Sequence, residues 1–122
     1  MSSEVVAIRG AITVDKNTKE DILTSTQELL TEILERNQLD EEDIISIFFT
    51  VTQDLDAAFP AQAARELGLD FIPLLCANEI DVPGAISKCV RILIHINAGE
   101  KLEEVEHIYL KDAKKLRPDL VD

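Results

Sequence analysis

Four arginines stand where arginine is costly. Arg9 falls among Val5, Val6, Ile8 and Ile12, Arg91 lies between Val90 and Ile92, Arg65 follows the Phe59-Pro60 loop, and Arg117 belongs to a C-terminal LRPDL segment. The chain has only five arginines. A guanidinium set among Ile and Val is unfavourable unless it pairs. One solution is a separate salt bridge for each. The other is collective: Arg9 and Arg91, in strands facing a loop that carries Glu79, form a pocket for a small polyanion. The guanidinium fork suits two-point capture of carboxylates.

Other chemistries find no spacing to support them. There is no phosphate loop and no GxGxxG. His95 sits inside a strand pattern and His107 beside a turn, neither with ligand-spaced Cys, Asp or Glu, so both read as structural. Ser46 and Ser87 lack the context of an activated nucleophile. Cys76 and Cys89 make neither a disulfide framework nor a zinc site and read as reduced thiols. A metal centre built from Cys76, Glu79, Asp81 and His95 has no spacing motif, so no metal is expected.

Composition sets the frame for these residues. With 122 residues, 46% apolar and 30% charged, the chain has the makings of one globular domain over residues 1–122. Its net charge of −12 opposes capture of nucleic acid or anionic lipid, yet leaves room for one cationic pocket. No apolar run approaches the roughly 20 residues that span a bilayer. The opening MSSEVVAIRG lacks the charged-then-apolar pattern of a secretory signal, so a cytoplasmic protein is expected.

The elements that must position the arginines follow from local pattern. The β-branched run Val5 to Val14 predicts a strand, in which Gly10 permits a close backbone approach. Thr18 to Asn37 predicts a helix, with an Asn17 or Thr18 cap, Glu20 and Asp21 in its first turn, and an apolar stripe through Ile22, Leu23, Leu29, Leu30, Ile33 and Leu34. Ile44 to Val51 is almost continuously apolar and predicts a strand buried on both faces. Pro60 to Leu67 predicts a short helix stopped by Gly68. Phe71 to Leu75 predicts a third strand and Cys76 to Gly84 a loop; the later part of Ala85 to Ile96 predicts a fourth strand. Asn97 to Lys101 reads as a turn, Leu102 to Glu106 as helix or loop, Ile108 to Leu110 as a last strand and Leu116 to Leu120 as extended. The order β-α-β-α-β-β-(α)-β predicts an α/β (α+β) fold with a mixed sheet. Two helices do not cover so many apolar strands, so part of the sheet needs another cover.

Five segments carry a resemblance: IRGAITV (Ile8 to Val14), DLDAAFPAQAARELG (Asp54 to Gly68), CANEIDVPG (Cys76 to Gly84), KCVRIL (Lys88 to Leu93) and HIYL with LRPDL (His107 to Leu120). In order and in register, they resemble the small monofunctional chorismate mutases of Bacillus type. The resemblance implies a pseudo-α/β-barrel homotrimer with sites between subunits. It implies a Claisen rearrangement of chorismate to prephenate, without cofactor, in aromatic amino-acid biosynthesis. By the same resemblance Arg91 meets the ether oxygen, Arg9 binds a substrate carboxylate, and Glu79 accepts from the ring hydroxyl and orients Arg91. Tyr109 reaches a carboxylate, Cys76 lies beside the ring hydroxyl within the Leu75-Cys76-Ala77-Asn78 wall, Phe59 and Leu116 are apolar walls, and Arg65 and Arg117 stand at the mouth. Arg91, Glu79 and Arg9 are thus the expected catalytic residues and the rest substrate-binding. Two positions depart from the family pattern: Gln62 stands where relatives can carry lysine, and Leu75 where they can carry a small polar residue. The alternative to an enzyme is a trimeric module that binds a small metabolite without transforming it.

Overall fold

In a computed structural model, residues 4–98 and 105–120 are described. Strand β1 spans Val5–Thr13 and helix α1 spans Lys19–Arg36. Thr18 caps α1, its hydroxyl accepting from the Asp21 amide at 3.1 Å. Strand β2 is Ile44–Val51, helix α2 is Ala61–Glu66, β3 is Leu74–Asn78, β4 is Cys89–Asn97 and β5 is Ile108–Leu110. The five strands form one mixed sheet in the order β3-β2-β4-β1-β5. β4 runs antiparallel to both β1 and β2, while β3 and β5 run parallel to their neighbours at the two edges.

The helices cover one face of this sheet. Ile22, Leu29, Leu30 and Ile33 of α1 pack on Ile8, Ile12, Ile47, Phe49, Val90, Ile92, Ile94 and Ile96 in a single buried cluster. Gly10 is required where α1 crosses β1. A Cβ there would stand 2.7 Å from Ile33 Cδ1 and 3.2 Å from the Ile108 carbonyl oxygen. Gly68, at φ +90°, ends α2 in a conformation that L side chains rarely adopt.

Several sequence expectations need correction. β2 is not buried on both faces: Ile45 and Phe48 are exposed, and a register shift between Ile44 and Ser46 marks a bulge. The third strand begins at Leu74 and runs on through Cys76 to Asn78, so Phe71 is outside it and exposed. The loop that follows therefore starts at Glu79. The LRPDL segment is not extended; Pro118–Leu120 forms a 3₁₀ turn, after an earlier one at Lys111–Lys115. Pro118 blocks continuation of a preceding helix but is well suited to start a new turn. Asn97 belongs to β4 rather than to a turn. Residues 99–104 lie outside the described residues, and with them most of the turn and helix-or-loop expectation for 97–106.

Candidate active site

Pleating sorts the expected site residues into two sets. Directly paired residues in a sheet share a face, and residues two apart along a strand return to it. The register places Tyr109 beside Ala11, Ala11 beside Arg91, Arg91 beside Thr50, and Thr50 beside Ala77. These five form one row across all five strands, on the face away from the helices. Arg9 lies on that face two residues from Ala11, and Leu75 two residues from Ala77. Cys76 pairs with Phe49 and Asn78 with Val51, both of the buried cluster, so Cys76 and Asn78 are on the helix side.

On the open face, Arg91 is paired with Glu79. Its Nε stands 3.2 Å from Glu79 Oε2, near enough for an ion pair but too poorly aligned for a hydrogen bond. Thr50 Oγ1 donates to the same oxygen of Glu79. Glu79 is fixed at its backbone too, where its amide donates to the Val51 carbonyl at 2.9 Å. Its side chain is the more buried, 22% exposed against 42% for Arg91. The guanidinium of Arg91 makes no hydrogen bond to the described residues, and its side chain stays 42% exposed. The guanidinium is thus oriented by Glu79 while its outer edge stays open to an incoming anion.

Around it Ala11, Cys89, Tyr109 and Ala113 form a second buried cluster, against which Ile86 and Leu116 pack. Burial pushes the Cys89 thiol up to about 11, partly countered by the nearby Arg91 charge. The start of β4 is fixed by Asp54: both its oxygens accept from the Lys88 amide, at 3.1 and 3.0 Å, where Lys88 takes φ +47°. Thr52 Oγ1 accepts from the Cys89 amide at 3.0 Å. Nothing in the sequence marks Asp54 for this role, because a carboxylate capping a distant backbone turn leaves no local signature.

The second set lines a groove of about 460 Å³ on the helix side, with Phe59, Gln62, Cys76, Ala77 and Asn78 in its wall. Phe59 is 72% exposed at its rim. Asn17 ties this loop to the start of α1, its Oδ1 accepting from the amides of Asp56 (3.0 Å) and Ala57 (3.1 Å). Lys19 also lines the groove and escaped the sequence reading, as one more charge in a solvated first turn. Gln62 turns its amide to Glu66 at 3.0 Å.

The other expected residues take mixed places. Arg9 is exposed, its backbone amide donating to His107 Nδ1 at 3.0 Å. Arg117 forms a two-point pair with Asp119, at 3.0 and 2.8 Å, which meets much of its charge locally. Arg65 is exposed on α2. One chain therefore gathers Arg9, Glu79, Arg91, Tyr109 and Leu116 on one face, and Phe59, Cys76 and Asn78 on the other. Ala77 is common to the cross-sheet row and the groove wall.

Comparison with known proteins gives one answer throughout. Residues 5–120 match the family model for chorismate mutase type I. The chain is 46% identical over 117 residues to chorismate mutase AroH of Thermus thermophilus, covering 95% of this chain and 96% of that protein. It is 41% identical over 114 residues to chorismate mutase AroH of Bacillus subtilis, covering 93% and 90%. Among solved structures, a chorismate mutase from Clostridium thermocellum superposes with a TM-score of 0.87 at 54% identity, over 90% of this chain and 98% of that one.

Proposed function

The chain belongs to the chorismate mutase type I family and is an isomerase, and we propose that it turns chorismate into prephenate by holding a folded conformer against Arg91. The rearrangement is internal to one molecule. The ether C–O bond breaks as a C–C bond forms at the far end of the enolpyruvyl arm, and no proton or electron leaves. The protein's residues act by confinement and charge. Negative charge grows on the ether oxygen as its bond stretches. The open edge of Arg91, positioned by Glu79, meets that charge with a cation that stays protonated. Arg9 and Tyr109, on the same face, take the carboxylates. The carboxylate of Glu79 accepts the ring hydroxyl.

The observation that carries this reading is the pairing of a half-exposed Arg91 with the more buried Glu79. The arginine is paired enough to be oriented and open enough to serve a ligand. The test follows chorismate loss by ultraviolet absorbance with purified protein and no additive. Turnover well above the buffer rate is expected, and its absence would sink the proposal. Arg91→Ala should lose roughly 3–4 kcal/mol of transition-state stabilisation, a fall in kcat of several hundredfold. Arg91→Lys should fail comparably, because an ammonium does not reproduce the fork. A lysine variant with near-normal turnover would reject the role given to Arg91.

The complete site is proposed to form between subunits of a cytoplasmic homotrimer, with no nucleic-acid or membrane partner. Two features support the assembly. Phe48 and Leu75 lie on the open sheet face 37% and 59% exposed, an apolar surface without cover in one chain. The two sets of expected residues lie on opposite faces and meet only if one chain's open face abuts a neighbour's groove. Among the described residues, no helix is long and apolar enough to cross a membrane.

A further inference from the structure

Beyond the residues expected to touch substrate, the segment before β5 holds an imidazole in an unusual position. The parallel pairing of β1 with β5 begins at Gly10 and Ile108. One residue earlier on each strand, the ladder is continued by a side chain: the Arg9 amide donates to His107 Nδ1 at 3.0 Å. The segment is pinned from its other side as well. The buried Asn37, at the end of α1, donates to the Glu106 carbonyl at 3.0 Å and accepts from the Glu106 amide at 2.7 Å. His107 thus stands between a clamp on α1 and the backbone of Arg9, two residues before Tyr109.

We propose that His107 is a positioning residue for substrate binding: by accepting the Arg9 amide at Nδ1, it fixes the main chain from which the Arg9 guanidinium is presented on the open face. The inference rests on the substrate role given to Arg9 above and adds what holds that residue in place. Acceptance requires an unprotonated Nδ1. The charged groups bearing on the ring are Arg9 from β1 and Arg117 from the C-terminal segment, the latter bound to Asp119; on its own segment Glu106 is paired with Arg36 of α1 at 3.8 Å. Burial first, then the two arginines, hold His107 below its ordinary value, so the acceptor form prevails at neutral pH. In acid, Nδ1 becomes a donor facing a donor, and the bond to Arg9 is lost.

The test compares His107→Leu, which removes the acceptor, with His107→Asn, whose Oδ1 replaces it. His107→Leu should raise KM for chorismate roughly five- to tenfold, the worth of one hydrogen bond, with kcat changed less. His107→Asn should restore KM to within about threefold of the parent. From about pH 8 to about pH 5 the parent's KM should rise while that of His107→Asn stays level. A readout independent of activity is the Arg9 amide resonance, which should shift with the titration of His107. A His107→Leu variant with unaltered KM, or a His107→Asn variant as impaired as His107→Leu, overturns the proposal. An Arg9 amide indifferent to His107 overturns it at the hydrogen bond. An amide that follows His107 while KM stays level overturns it at its premise, the substrate role of Arg9.

Discussion

An ion pair between a half-exposed arginine and a half-buried glutamate contributes little to stability in water. The Glu79–Arg91 pair is better understood as a positioning device, because the carboxylate stands against Nε without a hydrogen bond and leaves the guanidinium half-exposed. Glu79→Gln keeps the shape and the Thr50 bond while removing the charge that fixes Arg91. We expect kcat/KM to fall by roughly a hundredfold with the melting temperature little moved. Wild-type kcat/KM in that variant would show that Arg91 is placed by packing alone. The thiols differ in the same local way. Cys89 is fully buried and its thiol is pushed up to about 11, whereas Cys76 is half-buried. An aromatic disulfide reagent at mild alkaline pH should leave Cys89 unmodified until the chain is unfolded. His107 adds a pH term to stability. Its folded value lies below 6.5, so the unfolded chain binds more protons in the window beneath that value. Its contribution is complete above the unfolded value and is lost as pH falls toward the folded one. His107→Asn should flatten that acid decline in a denaturant titration.

At the scale of elements, the helix and most strand positions were legible because each has a local cause. The cap at Thr18, the stripe from Ile22 to Ile33 and the β-branched runs around Ile8 and Ile94 each specify their element without reference to the rest of the chain. Which face a strand buries has no such cause. The run Ile44 to Val51 is apolar at nearly every position, yet only Ile44, Ile47, Phe49 and Val51 are covered by helices. The same difficulty hid the division of the site. In the contiguous segment Leu75 to Glu79, alternate residues pass to opposite faces, a separation visible only once register is known. Gly10 shows how tightly the helix layer holds that register. Gly10→Ala drives a methyl toward Ile33 Cδ1 and the Ile108 carbonyl, so a loss of roughly 1–3 kcal/mol in urea unfolding is expected. An unchanged midpoint would mean that α1 shifts freely over β1, contrary to the close packing described.

The whole molecule must reconcile a charge of −12 with a dianionic substrate, and two half-sites with one reaction. The first is met by placing Arg9 and Arg91 on one sheet face. Capture over distance then depends on screening, and kcat/KM should respond to salt more than kcat does. The second is met by a neighbour in the proposed assembly, and subunit mixing tests it directly. Arg91→Ala damages the open-face half of a site, and Phe59→Asp damages the groove half at an exposed position, by setting a carboxylate against an anion. Each variant alone should be nearly inactive. In a cyclic trimer of randomly mixed chains, each site draws one half from each of two neighbours, so roughly one site in four combines two intact halves. Unfolding the two variants together and refolding them should therefore recover roughly a quarter of the parental activity, with sedimentation showing a trimer throughout. Recovery is expected only if the halves come from different chains. If every chain carried its own complete site, each site in the mixture would retain one damaged half, and the mixture would be no more active than its parts.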